Sequence, residues 1–343
     1  MSQNKKIILG ISCGDFNGLG LEILIKAFSN TTLFDLVTPI LYCPLKAINF
    51  YKKLYQKTDL NYHVIKNAKD ASLKQLNIIK LADTDISINP GTNDHVAGKV
   101  AIESLNLAVQ DLKDRKIHSL ITLPVNKHNI SLTHKDFVGH TEYLLKSFSE
   151  SENLMLLCNQ NLKIATVTNH IPISKVSESI NKEILEKKIQ ILINSLKIDF
   201  LISKPKIAVL SLNPHGGDNG LIGDEDLKII NPVINAFLEA GDLIYGPYSA
   251  DAFFGTANYK NFDAVLGMYH DQVLIPFKAM SFGEGVNYTA GLPIIRVSPD
   301  HGVGYDIAGK NIANINSLLA AIFLSIDIYN NRSLYSDNYQ KTK

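Results

Sequence analysis

The sequence predicts an α/β protein with a largely parallel sheet that helices cover on both faces. Short β-branched runs alternate with helix-period segments, beginning with K-K-I-I-L-G-I-S, a glycine-rich turn and then L-G-L-E-I-L-I-K-A-F. The strand pattern recurs in the runs I-H-S-L-I-T-L-P, L-K-I-A-T-V-T, P-K-I-A-V-L-S-L, D-L-I-Y-G-P and D-A-V-L-G-M. Between them lie helical segments such as V-A-G-K-V-A-I-E-S-L-N-L-A-V-Q-D-L. This alternation is typical of parallel strands buried on both faces.

Length and charge favour a small-molecule ligand over a large charged partner. The chain has 343 residues, enough for two ordinary domains or one large one, each with its own core. Its formal net charge is +1, so no field of the whole chain attracts nucleic acid or an anionic membrane. We therefore expect a small neutral or locally anionic partner.

The cysteines and the apolar segments predict a cytoplasmic protein. The three cysteines are far apart and odd in number, which argues against a disulfide framework or a cysteine-ligated zinc site. The first residues lead into a strand without an apolar region of signal-peptide length. The apolar stretch from Leu318 is interrupted by Asp327 and is shorter than the ~20 residues that a membrane span needs. We expect that stretch to form a buried helix.

Three predicted strands are each followed by a histidine. His170 lies in V-T-N-H, His215 in S-L-N-P-H-G-G-D and His270 in G-M-Y-H-D-Q. A single histidine of this kind is more often a hydrogen-bonded core residue. Ligands of open α/β sheets, however, bind beyond the carboxyl ends of the strands, and three imidazoles at equivalent ends favour an open three-ligand site for a divalent metal.

Other loops carry groups suited to an anionic substrate. These groups lie in T-L-P-V-N-K, ending at Lys127, in G-H-T-E from Gly139, and at Lys278 and Asn287. A solvated lysine is the simpler interpretation of Lys127 and Lys278. Arg296 differs, because only three of the 34 basic residues are arginines and this one lies between apolar segments. Its planar fork suits bidentate binding of carboxylate or phosphate, with a structural ion pair as the alternative.

A glycine-rich stretch, S-P-D-H-G-V-G-Y-D-I-A-G-K from Ser298, predicts a cofactor loop. Its glycines let the backbone bend and approach a ligand closely, and nearby polar side chains suit an adenosine ribose or base. The residues concerned are Asp300, His301, Gly302, Asp306 and Gly309. A plain loop leading into a helix is the alternative. The pattern D-H-G-x-x-x-D-I-A-G-K resembles the cofactor loop of the isocitrate and isopropylmalate dehydrogenase superfamily, which binds NAD(P) without a Rossmann fingerprint.

One further motif extends the resemblance. By its glycine spacing, G-D-F-N-G-L-G is most simply a tight turn into a helix. Together with M-Y-H-D-Q, L-N-P-H-G-G-D, G-H-T-E, V-N-K and the cofactor loop, it resembles the 4-hydroxythreonine-4-phosphate dehydrogenase family of pyridoxal phosphate (vitamin B6) biosynthesis. The resemblance runs from residue 7 to residue 325.

The resemblance implies an architecture and an assembly. It implies two α/β/α domains with a cleft between them, the first formed by 1–127 with 303–343 and the second by 128–302. It also implies a homodimer whose active site and metal are shared between the subunits. The metal ligands would be His170, His215 and His270, with zinc, cobalt, manganese or magnesium as the ion.

The resemblance also implies a reaction and a substrate site. The family oxidises 4-phosphooxy-L-threonine with NAD or NADP, and the resulting β-keto acid can lose CO2 to give 3-amino-2-oxopropyl phosphate. The positions that match its substrate-binding residues are His140, Thr141, Lys278, Asn287 and Arg296. Asp251 is a candidate acid/base with an N-cap role as the alternative, and Lys278 is a second candidate catalytic group. Asp271 is expected to support His270 or to contact substrate.

The chain departs from the family pattern at a few positions. Phe16 and Leu21 replace prolines, Leu123 replaces a small residue, and Val303-Gly304 replaces a Thr-Ala pair. The last change leaves the choice between NAD and NADP open.

Two other functions remain open from the sequence. The chain could be a related dehydrogenase of D-threonate or D-erythronate 4-phosphate, which lack the substrate's amino group. It could also be a binding protein that holds a metal and a phosphorylated ligand without chemistry.

Overall fold

The computed structural model describes residues 6–57, 59–83, 86–149 and 152–341, without the side chains of 338–341. The first five residues, on which part of the expectation about export rests, lie outside this range. The strands are β1 (Ile7–Ser12), β2 (Val37–Cys43), β3 (Tyr62–Ile65), β4 (Leu76–Lys80), β5 (Ser119–Thr122), β6 (Leu154–Cys158), β7 (Lys163–Thr166), β8 (Lys206–Leu210), β9 (Leu243–Tyr248), β10 (Ala264–Gly267), β11 (Val286–Ala290) and β12 (Arg296–Pro299).

The α-helices alternate with these strands. They are α1 (Gly20–Phe28), α2 (Leu33–Leu36), α3 (Leu45–Leu54), α4 (His95–Lys113), α5 (Lys127–Ser131), α6 (His140–Phe148), α7 (Val176–Ser179), α8 (Lys182–Ile198), α9 (Asn231–Glu239), α10 (Ala250–Gly255), α11 (His270–Ser281) and α12 (Asn316–Lys341). Short 3-10 helices cover Ala68–Asp70, Ile173–Lys175, Pro214–Gly217 and Asn258–Asn261, and a π-helical turn covers Asp226–Ile230.

The first of two compact units comprises Met1–Glu150 and Pro293–Asn330. Its strands lie in the order β3-β4-β2-β1-β5-β12, and each pair is parallel. The central strand β1 places Ile11 beside Leu41 and Ile121, and all three side chains are fully buried. This unit therefore has the doubly covered parallel sheet that the apolar runs predict.

The second unit comprises Ser151–Leu292 and Asn331–Lys343. Its strands lie in the order β11-β6-β7-β10-β8-β9. Strand β6 is antiparallel to both neighbours, while β7, β10, β8 and β9 are parallel. Ile164, Ala208 and Val265 from three parallel strands pack with Phe253 and Phe277 in one apolar core.

The predicted fold class is confirmed. Each strand run used for the prediction coincides with a strand, namely β1, β5, β7, β8, β9 and β10. The helix predicted from Leu318 lies within α12, where Leu318 and Ile322 are buried. Phe323 on the same helix is 45% exposed, so only one face of the helix is buried.

The unit boundaries differ from those expected at residues 127 and 302. Residues before Ser151 belong to the first unit, and the second unit ends at Leu292. One reason is that α5 packs closely on α4, since a Cβ on Gly98 would lie 2.5 Å from the backbone of Asn129. The end of α12 joins the second unit because Nε of Arg332 donates a hydrogen bond to buried Asp199 at 2.7 Å.

Two negative findings apply to the described residues. None of their helices combines the length and the apolar character that crossing a membrane requires. Cys13, Cys43 and Cys158 are all buried and have free thiols.

Candidate active site

The three histidine-bearing strand ends lie side by side in the second unit. Strand β10 pairs in parallel with β7 on one side and with β8 on the other, with Val265 beside Ile164 and Ala208. Parallel strands end at the same edge of a sheet. The loops that carry His170, His270 and His215 therefore leave the sheet at one edge, as the sequence predicts.

Two of the three imidazoles are in contact. The ring centroids of His170 and His270 are 5.4 Å apart with a tilt of 46°. His270 is the first residue of α11, and its Nδ1 donates a hydrogen bond to Asp271 Oδ1 at 2.7 Å. This bond leaves Nε2 of His270 as the nitrogen that can bind a ligand. The expected contact between Asp271 and His270 is thus present.

His215 lies on a tightly turned loop of its own. It is exposed and has φ +52°, inside the 3-10 turn Pro214–Gly217. Buried Asp226 accepts hydrogen bonds from the backbone nitrogens of Leu212 and Asn213 at 2.8 and 3.0 Å and so fixes the start of this loop.

The donor types at this edge of the sheet suit a divalent ion. Within the described ranges, no three side chains of the types His, Cys, Asp and Glu lie close enough together to hold a metal. Two imidazoles, one oriented by a carboxylate, match the ligand chemistry of borderline ions such as zinc and cobalt. Beside them, Oδ1 of Asn169 is buried without a hydrogen-bond partner among the described residues. No sequence motif singles out Asn169.

In the first unit, a buried arginine is oriented by a threonine. Arg296 is 3% exposed, and its Nε and Nη2 donate hydrogen bonds to Thr122 Oγ1 at 3.1 and 2.7 Å. Burial lowers the pKa of Arg296 to about 10, while the charge of Glu142 opposes the shift. The guanidinium therefore stays charged at neutral pH in a buried position, where an anion binds it strongly.

His140 and Thr141 stand at the amino terminus of helix α6. Burial, and then the charges of Arg296 and Lys127, lower the pKa of His140 well below its usual value, so the ring is neutral at pH 7. Its Nε2 is buried and has no hydrogen-bond partner in the part of the chain that the structure describes. Helix amino termini attract anions. Arg296, His140 and Lys127 thus form a cluster that fits a phosphate or carboxylate.

The remaining substrate and acid/base candidates lie in the second unit. Lys278 is exposed on α11, and Asn287 is half-buried on β11 with its Oδ1 unpartnered among the described residues. Asp251 is exposed in the first turn of α10, whose N-cap is Ser249. The alternative interpretation of Asp251 as an N-cap is therefore wrong.

Two glycines of the predicted cofactor loop are closely packed, whereas a third faces open space. Gly304 and Gly309 have φ +61° and +78°, and a Cβ on them would lie 2.0 Å from Leu19 and 2.7 Å from Pro90. A Cβ on Gly302 would meet nothing within 4 Å, and Asp306 is exposed.

The other two residues of the cofactor loop lie at its start. The backbone nitrogen of Asp300 donates a hydrogen bond to Ser317 Oγ at 2.9 Å. His301 is half-buried, and its Nδ1 lies 3.1 Å from the carbonyl oxygen of Gly302. The closely packed glycines, with open space at Gly302, are compatible with a loop that binds a nucleotide cofactor.

A buried carboxylate that the sequence did not single out anchors this loop. The Tyr305 hydroxyl donates a 2.7 Å hydrogen bond to Asp15 Oδ2, and Asn129 donates to the same oxygen at 3.3 Å. Burial raises the pKa of Asp15 and also that of Tyr305. The aspartate lies in G-D-F-N-G-L-G, which glycine spacing alone describes only as a turn.

The departures from the family pattern are packed into the core. Phe16, Leu21 and Leu123 are fully buried. Val303 covers Gly18, since a Cβ there would lie 2.4 Å from Val303 Cγ1, and Leu19 requires a glycine at 304. The substitutions at 16, 21 and 123 thus add apolar packing in and beside the glycine-rich turn of residues 14–20.

Comparison with known proteins identifies relatives over nearly the whole chain. The family model described as "Pyridoxal phosphate biosynthetic protein PdxA" matches residues 35–325. A 4-hydroxythreonine-4-phosphate dehydrogenase of Bacteroides thetaiotaomicron is 41% identical over 331 residues, covering 96% of this chain and 91% of the relative. An Oceanobacillus iheyensis protein, provisionally named D-threonate 4-phosphate dehydrogenase, is 36% identical and covers 95% of this chain and 99% of the relative.

A solved structure gives the same result. The crystal structure of 4-hydroxythreonine-4-phosphate dehydrogenase from Klebsiella pneumoniae superimposes with a TM-score of 0.83 at 30% identity. The match covers 96% of this chain and 99% of that chain. The relatives named here are dehydrogenases, so the similarity extends to a class of enzymes as well as to a fold.

Proposed function

Because the chain belongs to the pyridoxal phosphate biosynthetic protein PdxA family, we propose that it oxidises 4-phosphooxy-L-threonine with NAD(P) in a reaction that depends on a divalent metal. The product is 2-amino-3-oxo-4-phosphooxybutanoate, a β-keto acid that loses CO2 to give 3-amino-2-oxopropyl phosphate. The proposal rests most directly on the paired imidazoles of His170 and His270 at the edge where three strands end.

The anionic substrate would be held in the first unit by the cluster around Arg296. Its guanidinium is buried, and its hydrogen bonds to Thr122 restrict its orientation, which suits binding of an anion. His140 is neutral and keeps an unpartnered Nε2 among the described residues, so it can form a hydrogen bond with the ligand. Thr141 adds a hydroxyl in the first turn of α6.

Lys278 and Asn287 are further candidate substrate-binding residues. An ammonium on α11 suits the phosphate or carboxylate, and the unpartnered Oδ1 of Asn287 suits an ammonium or hydroxyl donor of the substrate. Asp251, exposed in the first turn of α10, stays the candidate for the group that receives the hydroxyl proton, and Lys278 stays the second candidate catalytic group.

Metal and cofactor would supply the oxidation chemistry. His170, His215 and His270 would hold the divalent ion, which would supply Lewis-acid polarisation of the substrate hydroxyl, and NAD or NADP would supply the hydride acceptor. The loop with Asp300, His301, Gly302, Asp306 and Gly309 would hold the adenosine part of NAD or NADP. We also propose a homodimer that shares the site, because His170 and His270 are in ring contact while no group of three ligands is complete within the described residues.

The relative provisionally named D-threonate 4-phosphate dehydrogenase supports a second candidate function. That substrate has a hydroxyl where 4-phosphooxy-L-threonine has an ammonium. A site built to hydrogen-bond an ammonium rejects an analogue without it by several orders of magnitude, because buried acceptors are left unpaired. We expect a clear preference for the amino acid phosphate.

The decisive experiment compares three substrates under one set of conditions. Purified protein is given Co²⁺, NAD or NADP, and either 4-phosphooxy-L-threonine, D-threonate 4-phosphate or D-erythronate 4-phosphate, while absorbance of the reduced nicotinamide is followed. The highest kcat/KM with the amino acid phosphate supports the proposal. A kcat/KM at least as large with a sugar-acid phosphate assigns the second function, and binding of metal and ligand without reduction of either cofactor assigns a binding protein.

A further inference from the structure

The side chain of Gln272 joins two of the three histidine-bearing strand ends. Its Oε1 accepts a hydrogen bond from the backbone nitrogen of Met268 at 2.7 Å. Its Nε2 donates a hydrogen bond to the carbonyl oxygen of Ser211 at 2.6 Å. Met268 precedes His270 by two residues, and Ser211 precedes His215 by four. One amide group therefore ties the start of one ligand loop to the start of the other.

The third strand end is tied to the same point. The carbonyl oxygen of Met268 accepts hydrogen bonds from the backbone nitrogen and the Oγ1 of Thr168, at 3.1 and 2.8 Å. Thr168 precedes His170 by two residues. A continuous path of hydrogen bonds thus runs through Thr168, Met268, Gln272 and Ser211, across all three strand ends that carry a histidine.

Both hydrogen bonds of the Gln272 side chain require a particular orientation of its amide group. A backbone nitrogen can only donate and a carbonyl oxygen can only accept, so the orientation of the amide is fixed. Met268 and Ser211 are 0% and 1% exposed, so loss of the bridge leaves buried backbone groups unsatisfied. The close approach also depends on Gly267, where a Cβ would lie 2.2 Å from Val273 Cγ1 and 2.9 Å from Gln272 Oε1.

Helix capping explains only half of this arrangement. Gln272 is the third residue of α11, and a glutamine there commonly reaches back to the backbone at the helix start. Such a cap bonds the N-cap residue, here Tyr269, and the bond to Met268 reaches one residue further back in the same manner. Helix capping gives no reason for the second bond to Ser211, which lies 61 residues earlier in the chain on another strand end.

We propose that Gln272 is a positioning residue that holds the loops of His270 and His215 in place within their own chain, so that each imidazole stands where it can bind a divalent ion. The proposal rests on the proposed function, because it takes these histidines as metal ligands. Groups that orient metal ligands through hydrogen bonds typically affect metal affinity ten- to hundredfold when they are removed. Gln272 acts less directly, because it holds the backbone that carries the ligands and not the ligands themselves.

The test measures Co²⁺ affinity of the folded metal-free protein by calorimetry and by the visible absorption of the bound ion. Gln272→Met keeps the length of the side chain and removes both bonds, whereas Gln272→Glu keeps the acceptor for Met268 and loses the donor to Ser211. Gln190→Met, on the exposed face of α8, is the matched control. Thermal unfolding of each apo protein is recorded in parallel, so that metal affinity and stability are read separately.

We expect both Gln272 variants to bind Co²⁺ roughly ten- to hundredfold more weakly than wild type and to show an altered absorption band, with the control unchanged. Gln272→Glu should still be folded if Gln272→Met is not, because it keeps the helix cap. A folded variant that binds Co²⁺ with wild-type affinity would overturn the positioning role and leave only a cap. Absence of Co²⁺ binding by wild type would instead refute the proposed metal site itself.

Discussion

Two nitrogen atoms of Arg296 donate to one oxygen atom, the Oγ1 of Thr122, at 3.1 and 2.7 Å. Because both bonds lie along one edge of the guanidinium, they fix the plane of the group. Arg296 is the first residue of β12 and Thr122 the last of β5, and the two strands are parallel neighbours. A charged group that is buried and locked in this way is suited to planar recognition of an anion.

Replacement of Arg296 by lysine should therefore impair catalysis although the charge is kept. Lysine loses the bidentate fork and cannot make the same pair of bonds to Thr122. We expect a loss of about 2 kcal/mol of transition-state binding, which is about thirtyfold in kcat/KM. Steady-state kinetics with 4-phosphooxy-L-threonine measure the effect.

A second variant separates orientation from contact. Thr122→Val has nearly the same shape and removes the acceptor. It should cost about 1 kcal/mol of transition-state binding and so lower kcat/KM less than Arg296→Lys does. An equal loss of kcat/KM for Arg296→Lys with a substrate that lacks the phosphate would show that Arg296 does not hold that group.

Metal removal gives the second prediction. If His170, His215 and His270 bind the ion, then chelation should abolish turnover, and Co²⁺ or Zn²⁺ should restore it. Alanine at each position should remove the bound ion, measured by elemental analysis, while the circular dichroism spectrum stays native. His134→Ala serves as the control, because it lies on an exposed loop outside the three strand-end histidines and the Arg296 cluster. Full activity of protein shown to be metal-free would contradict the prediction.

The fold and the strand-end histidines could be predicted because they depend on local patterns. Apolar periodicity places the strands, and a parallel sheet brings their carboxyl ends to one edge, so His170 and His270 were expected to be close, as they are. Strand β6 pairs antiparallel with β7 and β11. Its direction depends on the path of the chain, which periodicity does not encode.

The supporting contacts could not be predicted because their partners are distant in sequence. Tyr305 and Asp15 are 290 residues apart, and Gln272 and Ser211 are 61 residues apart. Each contact follows from the register of neighbouring elements, which must be known before a side chain can be assigned a partner. Asp15 also lies in a glycine-rich turn, and glycine spacing alone does not show that its carboxylate is buried.

The third prediction concerns pH and His140. Its pKa is lowered, first by burial and then by Arg296 and Lys127, so the folded protein binds fewer protons there than the unfolded chain. The unfolded histidine titrates near pH 6.5, so the stability that this residue contributes is present above about pH 6.5 and is lost as the pH falls below it. The free energy of unfolding, measured by urea titration across this range, should decrease less steeply for His140→Asn than for wild type.

Glu142 and Asp15 are suitable comparisons for this measurement. Asp15 has a raised pKa, so its own contribution to stability has the opposite dependence and is lost as the pH rises through that pKa. Comparison of wild type with His140→Asn cancels that background. Glu142→Gln should change the affinity of Arg296 for anions. It should not remove the pH dependence of the unfolding free energy that is due to His140. Identical slopes for wild type and His140→Asn would contradict the assignment of a neutral, buried ring.

The fourth prediction tests how two subunits would share the metal site. His170 and His270 of one chain are in ring contact, whereas no complete ligand group occurs within the described residues of that chain, so we expect the partner subunit to supply the third imidazole from position 215. Mixed dimers of His215→Ala and His270→Ala chains then contain one complete site, and random mixing of the two variants should restore about a quarter of wild-type activity, since half of the dimers are mixed. Mixing His170→Ala with His270→Ala should restore nothing, because each chain damages the same half of the site. Recovery with the second pair and not with the first would mean that His170 and His270 meet across the interface, and a monomer in sedimentation would refute the shared site altogether.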